Sequence, residues 1–331
     1  MSANHAVFNV IFRFIENYVS PIAGRISSQR HVMAIRDGFI SAMPFMIVGS
    51  FLLVFAYPPF SPDTTWGFAR AWLDLAKQYE GRILTPFDMT MGIMSIYVCA
   101  AIAYNLGKHY VKSHQLDPFM CAMLALMAFL LVASPKTNGT LPVDSLGGVG
   151  IFTAILVAVF CVEMMRFLKT YNIGIRLPEQ VPPMIKNSFD LLIPVLVVVL
   201  TLYPLSLFIQ AQFDMLIPQA IMALFKPLVS AADSLPAILL AVLIGHLLWF
   251  AGIHGAAIVS GMLQMFWLTN LGLNQTALAQ AAPLPHIFME AFWTFFIVIG
   301  GSGATMGLVF CYLRSNCLLY TSDAADDMQC V

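Results

Sequence analysis

An imidazole between two glycines, inside an apolar run, is the feature of this chain best suited to chemistry: Trp249-Phe-Ala-Gly-Ile-His-Gly255. Such a histidine is costly without polar company, and ionisable residues within membrane spans are functional candidates by default. Neutral imidazole offers one donor and one acceptor, enough to hold a hydroxyl group and orient it. Gly252 and Gly255 let the backbone approach a ligand closely and leave peptide groups free to bond it. His246 lies in the same run but has no such flanks. Further on, Glu290 follows His286 by four residues, which puts both on one face if the segment is helical. Trp249 and Trp293 offer faces on which a ring could stack, although aromatic residues at membrane depth more often pack or anchor. A second glycine-rich stretch, Ile299-Gly-Gly-Ser-Gly-Ala-Thr305, presents Gly301 and Ser302. It lacks the Lys-Ser/Thr of a phosphate loop and any preceding strand, so it is not a nucleotide site. Its Gly303-x-x-x-Gly307 spacing equally suits close helix packing.

The elements that must position these residues are membrane helices. The 331 residues are 60% hydrophobic and only 10% charged, where soluble domains carry about 25% charged residues. Sixteen basic against seventeen acidic side chains leave no basic stripe, which excludes a nucleic-acid partner. Cys99, Cys121, Cys161 and Cys311 have no metal-ligand spacing and read as small buried side chains. A span needs about 20 apolar residues, and five candidates precede the histidine, at 38–57, 87–107, 118–134, 149–167 and 189–210. Counting Lys and Arg in alternate connections puts ten on the N-terminal side and four on the other, which predicts a cytoplasmic N-terminus. The 58–82 connection, with Trp66, Phe68 and Trp72 among Arg70, Asp74 and Lys77, predicts an amphipathic helix on the membrane surface. The 215–225 stretch predicts a second short interfacial helix, and 269–280, polar and small, a loop or re-entrant tip. Two consecutive glycine-broken segments follow, a texture tolerated at membrane depth only where the chain is buried in protein or lines a cavity. The fold class is therefore an all-α polytopic membrane protein, with transmembrane helices, interfacial amphipathic helices and re-entrant, glycine-broken segments. Its organisation reads as an amphipathic segment at 1–30, a scaffold half at 31–210, a binding half at 211–314 and an atypical tail at 315–331.

Three motifs in order carry a resemblance: Asp37-Gly-Phe-Ile-x-x-Met-Pro44, Trp249-Phe-Ala-Gly-Ile-His-Gly255, and Ile299-Gly-Gly-Ser-Gly-Ala-Thr-x-Gly-Leu308. From Arg30 to Arg314 the chain resembles enzyme IIC, the membrane component of the bacterial phosphotransferase system, in its lactose/cellobiose (N,N′-diacetylchitobiose) branch. The resemblance implies ten membrane helices, two re-entrant hairpins, an N-terminal dimerisation half and a C-terminal sugar-binding half. It implies a multi-pass protein of the bacterial plasma membrane, surrounded by lipid and paired as a homodimer. It also implies a permease that binds a disaccharide at His254, where Gly252 and Gly255 admit the ring; Gly301 and Ser302 are further candidate contacts, as is Glu290, which could instead cap the re-entrant loop. Phosphate would come from a phosphocysteine on enzyme IIB, itself supplied through IIA. No residue of this chain is then assigned a catalytic role, and no metal, nucleotide or other cofactor is required.

The sequence also departs from the family. An Asn-x-x-Glu motif, whose carboxylate contacts the sugar in family members, is missing, and Glu290 is not its substitute. The residues from Ser315 to Val331 break the family pattern and read as non-native or out of frame, so the chain is expected to be an incomplete transporter. The alternative function is an ion- or proton-coupled secondary sugar transporter. Such a carrier would use a midplane carboxylate; Asp37, Asp88, Glu163 and Asp190 lie near predicted span ends, leaving Glu290.

Overall fold

The computed structural model describes residues 28–135, 139–174, 189–250, 255–279 and 282–299, with isolated positions at 13, 21 and 25. Their regular structure is helical. In chain order the helices are α1 (Arg30–Ala56), α2 (Gly67–Asp88), α3 (Met94–His114), α4 (Pro118–Ala133), α5 (Ile151–Thr170), α6 (Leu192–Phe213), α7 (Ile217–Ala232), α8 (Leu235–Phe250) and α9 (Gly255–Ala279). A 3-10 turn, Gly148–Gly150, leads into α5, and a short helical turn, Glu290–Phe292, runs into a π-helical stretch, Trp293–Ile297.

Three expected spans coincide closely with α4, α5 and α6, because uninterrupted apolar runs leave a helix little choice at membrane depth, whereas α1 starts eight residues before the span expected at 38–57. By length and apolarity, α1, the unit Gly148–Thr170 and α6 can each cross a membrane. At 16 residues α4 is shorter, and α7 with α8 forms a pair bent by 70°. The span expected at 87–107 is displaced. Asp88 closes α2, a turn in which the Gly92 N–H donates to the Phe87 carbonyl follows, and α3 starts only at Met94. The 58–82 connection holds a helix, α2, which begins at Gly67 and carries on to Asp88.

The scaffold is built around α3, which packs against α1, α4 and α5. Small residues let the axes approach: a Cβ on Gly38 of α1 would lie 2.8 Å from the backbone nitrogen of Ile102 on α3. Ala103, Cys99, Cys121, Ala125, Ala158 and Cys161 are wholly buried in this core, and the three cysteines are free thiols. The outward faces stay apolar, with Phe51 64%, Leu200 64% and Phe208 59% exposed. Such surface fits hydrocarbon and is unlike the scattered apolar exposure of soluble proteins.

At one end of the scaffold Glu163 ties three helices together. Its Oε1 bonds His31 Nε2 of α1 at 3.0 Å and accepts from the Tyr110 hydroxyl of α3 at 2.7 Å; its Oε2 pairs with Arg166 at 3.0 Å. The Arg30 and Arg166 guanidiniums lie 5.7 and 5.2 Å from the centre of the Tyr110 ring. Nearby on the same helix, Lys169 pairs with Asp190. Arg30, Arg166 and Lys169, three of the basic residues assigned from sequence to one side of the membrane, thus lie in polar contacts around the start of α1 and the end of α5.

Candidate functional site

The site grows from α9. The sequence between 269 and 280 suggested a loop, yet α9 continues to Ala279, and Thr269, Asn270, Asn274 and Gln275 within it are buried. Polarity there is explained by what packs on the helix. Residues 282–289 form a segment outside any helix or strand; the Ala282 N–H reaches the Ala277 carbonyl of α9, and the peptide groups of 286–288 are met by side chains. Asn274 brackets His286, accepting from its N–H at 3.0 Å and donating to its carbonyl at 2.8 Å. Asn270, one turn away on the same face, donates to the Phe288 carbonyl at 3.0 Å. From the turn after α7, Asp233 accepts the N–H groups of Phe288 at 2.6 Å and Ile287 at 3.2 Å, and its other oxygen meets His286 Nδ1 at 3.1 Å.

The segment delivers Glu290 to α9 at the first position of its helical turn, where Gln264 Nε2 donates to Glu290 Oε2 at 3.1 Å. Both side chains are half-buried. They stand in the wall of a 580 Å³ cavity between α1 and the 290–295 turn, with Ser50 and Thr294 as further polar groups among Met46, Phe51 and Leu268. The expected pairing of His286 with Glu290 on one helical face does not occur. His286 lies in extended chain and turns to Asp233, so a spacing of four no longer brings the two together.

Aromatic packing closes the other side. Trp267 of α9 meets Phe288 at 5.7 Å and Trp293 at 5.8 Å, and Phe288 lies edge-on to Phe292. Trp267 and Phe288 are 1% exposed and Trp293 5%, so Trp293 serves this cluster and presents no open face. His246 is exposed and its Nδ1 lies 2.8 Å from the Val242 carbonyl one turn back.

Gly255 opens α9 immediately after the glycine-flanked histidine and is buried. A Cβ there would collide with the Gly245 carbonyl oxygen and lie 3.1 Å from Leu248 Cβ. Glycine is thus required where α8 and α9 come together. Gly255 and Gln264 are nine residues apart on one helix, about 13 Å along its axis. His254, Gly252, Gly301 and Ser302 lie outside the described residues. Among the described residues no group of His, Cys, Asp and Glu is arranged to hold a metal ion.

Sequence reasoning missed Asp233, Gln264, Asn270 and Asn274. A single aspartate at a helix end reads as solvated, and amides in a loop look unremarkable. The one available signal was the spacing of four between Asn270 and Asn274, which marks a polar stripe only if the segment is helical.

Comparison with known proteins settles the family. Residues 36–318 match the family described as "Phosphotransferase system, EIIC". The chain belongs to that family. It is 34% identical over 315 residues to the cellobiose-specific EIIC component of Geobacillus stearothermophilus, across 89% of this chain and 67% of that one. To the lactose-specific EIICB component of Streptococcus mutans it is 32% identical, across 88% of this chain and 51% of the relative, so it spans about half of that longer protein. The crystal structure of the transporter ChbC, the IIC component from the N,N′-diacetylchitobiose-specific phosphotransferase system, superposes with a TM-score of 0.79 at 33% identity, over 91% of this chain and 71% of that one. The all-helical membrane fold, the lactose/cellobiose-type EIIC assignment and the role as a sugar permease component are thereby established. EIIC proteins work with the IIB and IIA components of their system. The comparisons favour this permease over the ion-coupled carrier.

Proposed function

We propose that this EIIC binds a β-linked disaccharide of the cellobiose, diacetylchitobiose or lactose kind in the half from residue 211 to 314. It then presents a sugar hydroxyl at the cytoplasmic face to a phosphocysteine on enzyme IIB. The observation that carries this reading is the likeness to the diacetylchitobiose-specific ChbC, at 33% identity over 91% of the chain. His254 is the principal sugar contact, bonding a hydroxyl through its donor and acceptor nitrogens. Gly252 and Gly255 admit the ring close to the backbone, Gly301 and Ser302 contribute from the second glycine-rich stretch, and Glu290 accepts a hydroxyl hydrogen bond. Phosphoryl transfer needs positioning more than covalent help from this chain. Residues 31–210 form the scaffold, which pairs with a second copy in the lipid bilayer. The N-terminus is cytoplasmic, a reading supported by the basic residues gathered around Tyr110 and Glu163 at one end of the bundle.

Binding of radiolabelled disaccharides to the chain in proteoliposomes tests the substrate class. In a protein that carries the family's complete sugar-binding half, the parent is expected to bind, and His254→Ala to lose binding while inserting and pairing normally; unchanged affinity in that variant defeats the assignment. With the IIB and IIA partners supplied, uptake should survive collapse of the ion gradient and stop when phosphoenolpyruvate is withdrawn. The opposite pattern would restore the ion-coupled carrier.

A further inference from the structure

Extended backbone inside a membrane protein needs a reason to hold one position, because no ladder or helix fixes its register. The 282–289 segment is fixed from two directions. Asn270 and Asn274 hold it from α9, only 12 to 18 residues distant in sequence, whereas Asp233 reaches it across 53 to 55 residues. Asp233 caps the C-terminal end of α7. That helix bridges the molecule: it packs on α8 and α9 and also on α4, α5, α6 and the 3-10 turn, with Phe225 stacked on Phe152 of α5 at 4.5 Å. Asp233 is also the only acidic side chain among the described residues that bonds the segment, and its own side chain is 14% exposed.

We propose that Asp233 is a positioning residue for sugar binding, setting the register of the 286–288 backbone against α7 and so the place of Glu290 beside Gln264. The proposal rests on the sugar-binding reading given above. A carboxylate is suited to this task because it only accepts, and two oxygens can take several N–H donors at once. Here they serve two adjacent backbone N–H groups and one imidazole nitrogen. An amide in the same place would turn NH2 toward one of these donors and lose the charge that strengthens the rest. Phe288 precedes Glu290 by two residues, so a shift of the anchored peptides is passed on to the carboxylate that meets Gln264. The segment begins after α9, so it remains covalently attached and bonded to the asparagines when Asp233 is altered. What is lost is its alignment with α7.

The test measures disaccharide affinity in proteoliposomes for the parent, Asp233→Asn and Asp233→Glu, together with the unfolding temperature of each purified protein without sugar. Asp233→Asn should weaken binding roughly 10- to 100-fold, the range expected for losing charge-assisted bonds. Asp233→Glu, which keeps the charge, should recover part of that loss. Unfolding temperatures should not follow the affinities in rank, which separates positioning from plain stabilisation. Equal affinity in all three proteins overturns the proposal, and so does a loss in Asp233→Asn that tracks its unfolding temperature. If the parent binds no disaccharide, the sugar reading has failed, and Asp233 is judged by a second measurement. A thiol reagent should label exposed Ile287→Cys faster when Asp233→Asn is also present; equal rates overturn the positioning role on their own. The same labelling, run with Asp233→Glu, decides the matter if Asp233→Asn does not insert.

Discussion

The two halves of this molecule are held together by different chemistry. In residues 31–210, α1, α3, α4 and α5 meet through a continuous apolar core in which alanine, glycine and cysteine alternate with larger side chains, and a polar cluster around Glu163 ties three of them at one end. In the C-terminal half, the 282–289 segment is bound mainly through side chain to backbone, by Asp233, Asn270 and Asn274. Helix packing in a membrane draws on close van der Waals contact and has little solvent-driven hydrophobic term to add. Polar bonds between side chain and main chain are directional and fail individually. A rigid scaffold is the expected product of the first and an adjustable binding segment of the second, which suits a permease that must release what it binds.

This contrast is broken most severely at the tight crossing in the scaffold. Gly38→Leu has no room, because even a Cβ would meet the Ile102 backbone. Overpacking of this kind costs about 3 kcal/mol or more, so the variant should show little folded protein by size-exclusion chromatography of detergent extracts. If it folds as well as the parent, the scaffold is not the close-packed half. Next comes Glu163→Gln, which strips the charge from three partners on three helices. Glu163 keeps some solvent access, and a loss of about 1 to 3 kcal/mol is expected from thermal unfolding. Sugar affinity in the surviving folded fraction should be unchanged.

Asn274→Ala acts on the other half. It removes both bonds to the His286 peptide, worth about 2 kcal/mol together when the groups left behind stay buried. Its effect should divide the opposite way from that of Glu163→Gln, with a large fall in disaccharide affinity and a small shift in unfolding temperature. Should the two variants move affinity and stability in parallel, the division between rigid and adjustable halves is wrong.

The same contrast explains what was legible in the sequence. Spans such as α4, α5 and α6 are set by local apolar runs, and their limits could be read within a few residues, whereas α1 starts eight residues before the expected span. The break expected at Gly252-Ile-His-Gly255 falls mostly on residues 251–254, which lie outside the described residues between α8 and α9. What could not be read was any feature that depends on a distant partner. Residues 269–279 look like a loop because their polar groups face a segment that folds back from 282–289, and nothing in their neighbourhood announces it. His286 and Glu290 looked like helical neighbours because the extended backbone between them is held by Asp233, some fifty residues earlier. The site residues on which the family resemblance rests most, His254 and Gly252, adjoin Gly255, whose own requirement for glycine proves to be contact with Gly245.

The smallest effect is expected where the two halves meet. Asp88, at the end of α2, lines a 370 Å³ cavity with Asp144 and the 147–149 backbone on one side and Gly272, Gln275 and Thr276 of α9 on the other. Partial burial pushes its carboxyl pKa above the ordinary aspartate value. The folded protein therefore holds the proton to higher pH than the unfolded chain does. Stability from this group is fully present below the ordinary aspartate pKa and is lost as pH rises through the folded-state value. Asp88→Asn, which is neutral throughout, should flatten that part of the pH profile and leave the protein slightly more stable at neutral pH. Because Asp88 is largely exposed, solvent screens most of the effect, and a shift in unfolding temperature at the edge of detection is the expected size. A fall in stability would mean that the ionised carboxylate is bound by something across the joint. The two halves would then be clamped at this cavity as well as packed there through Gly148 and Gly272.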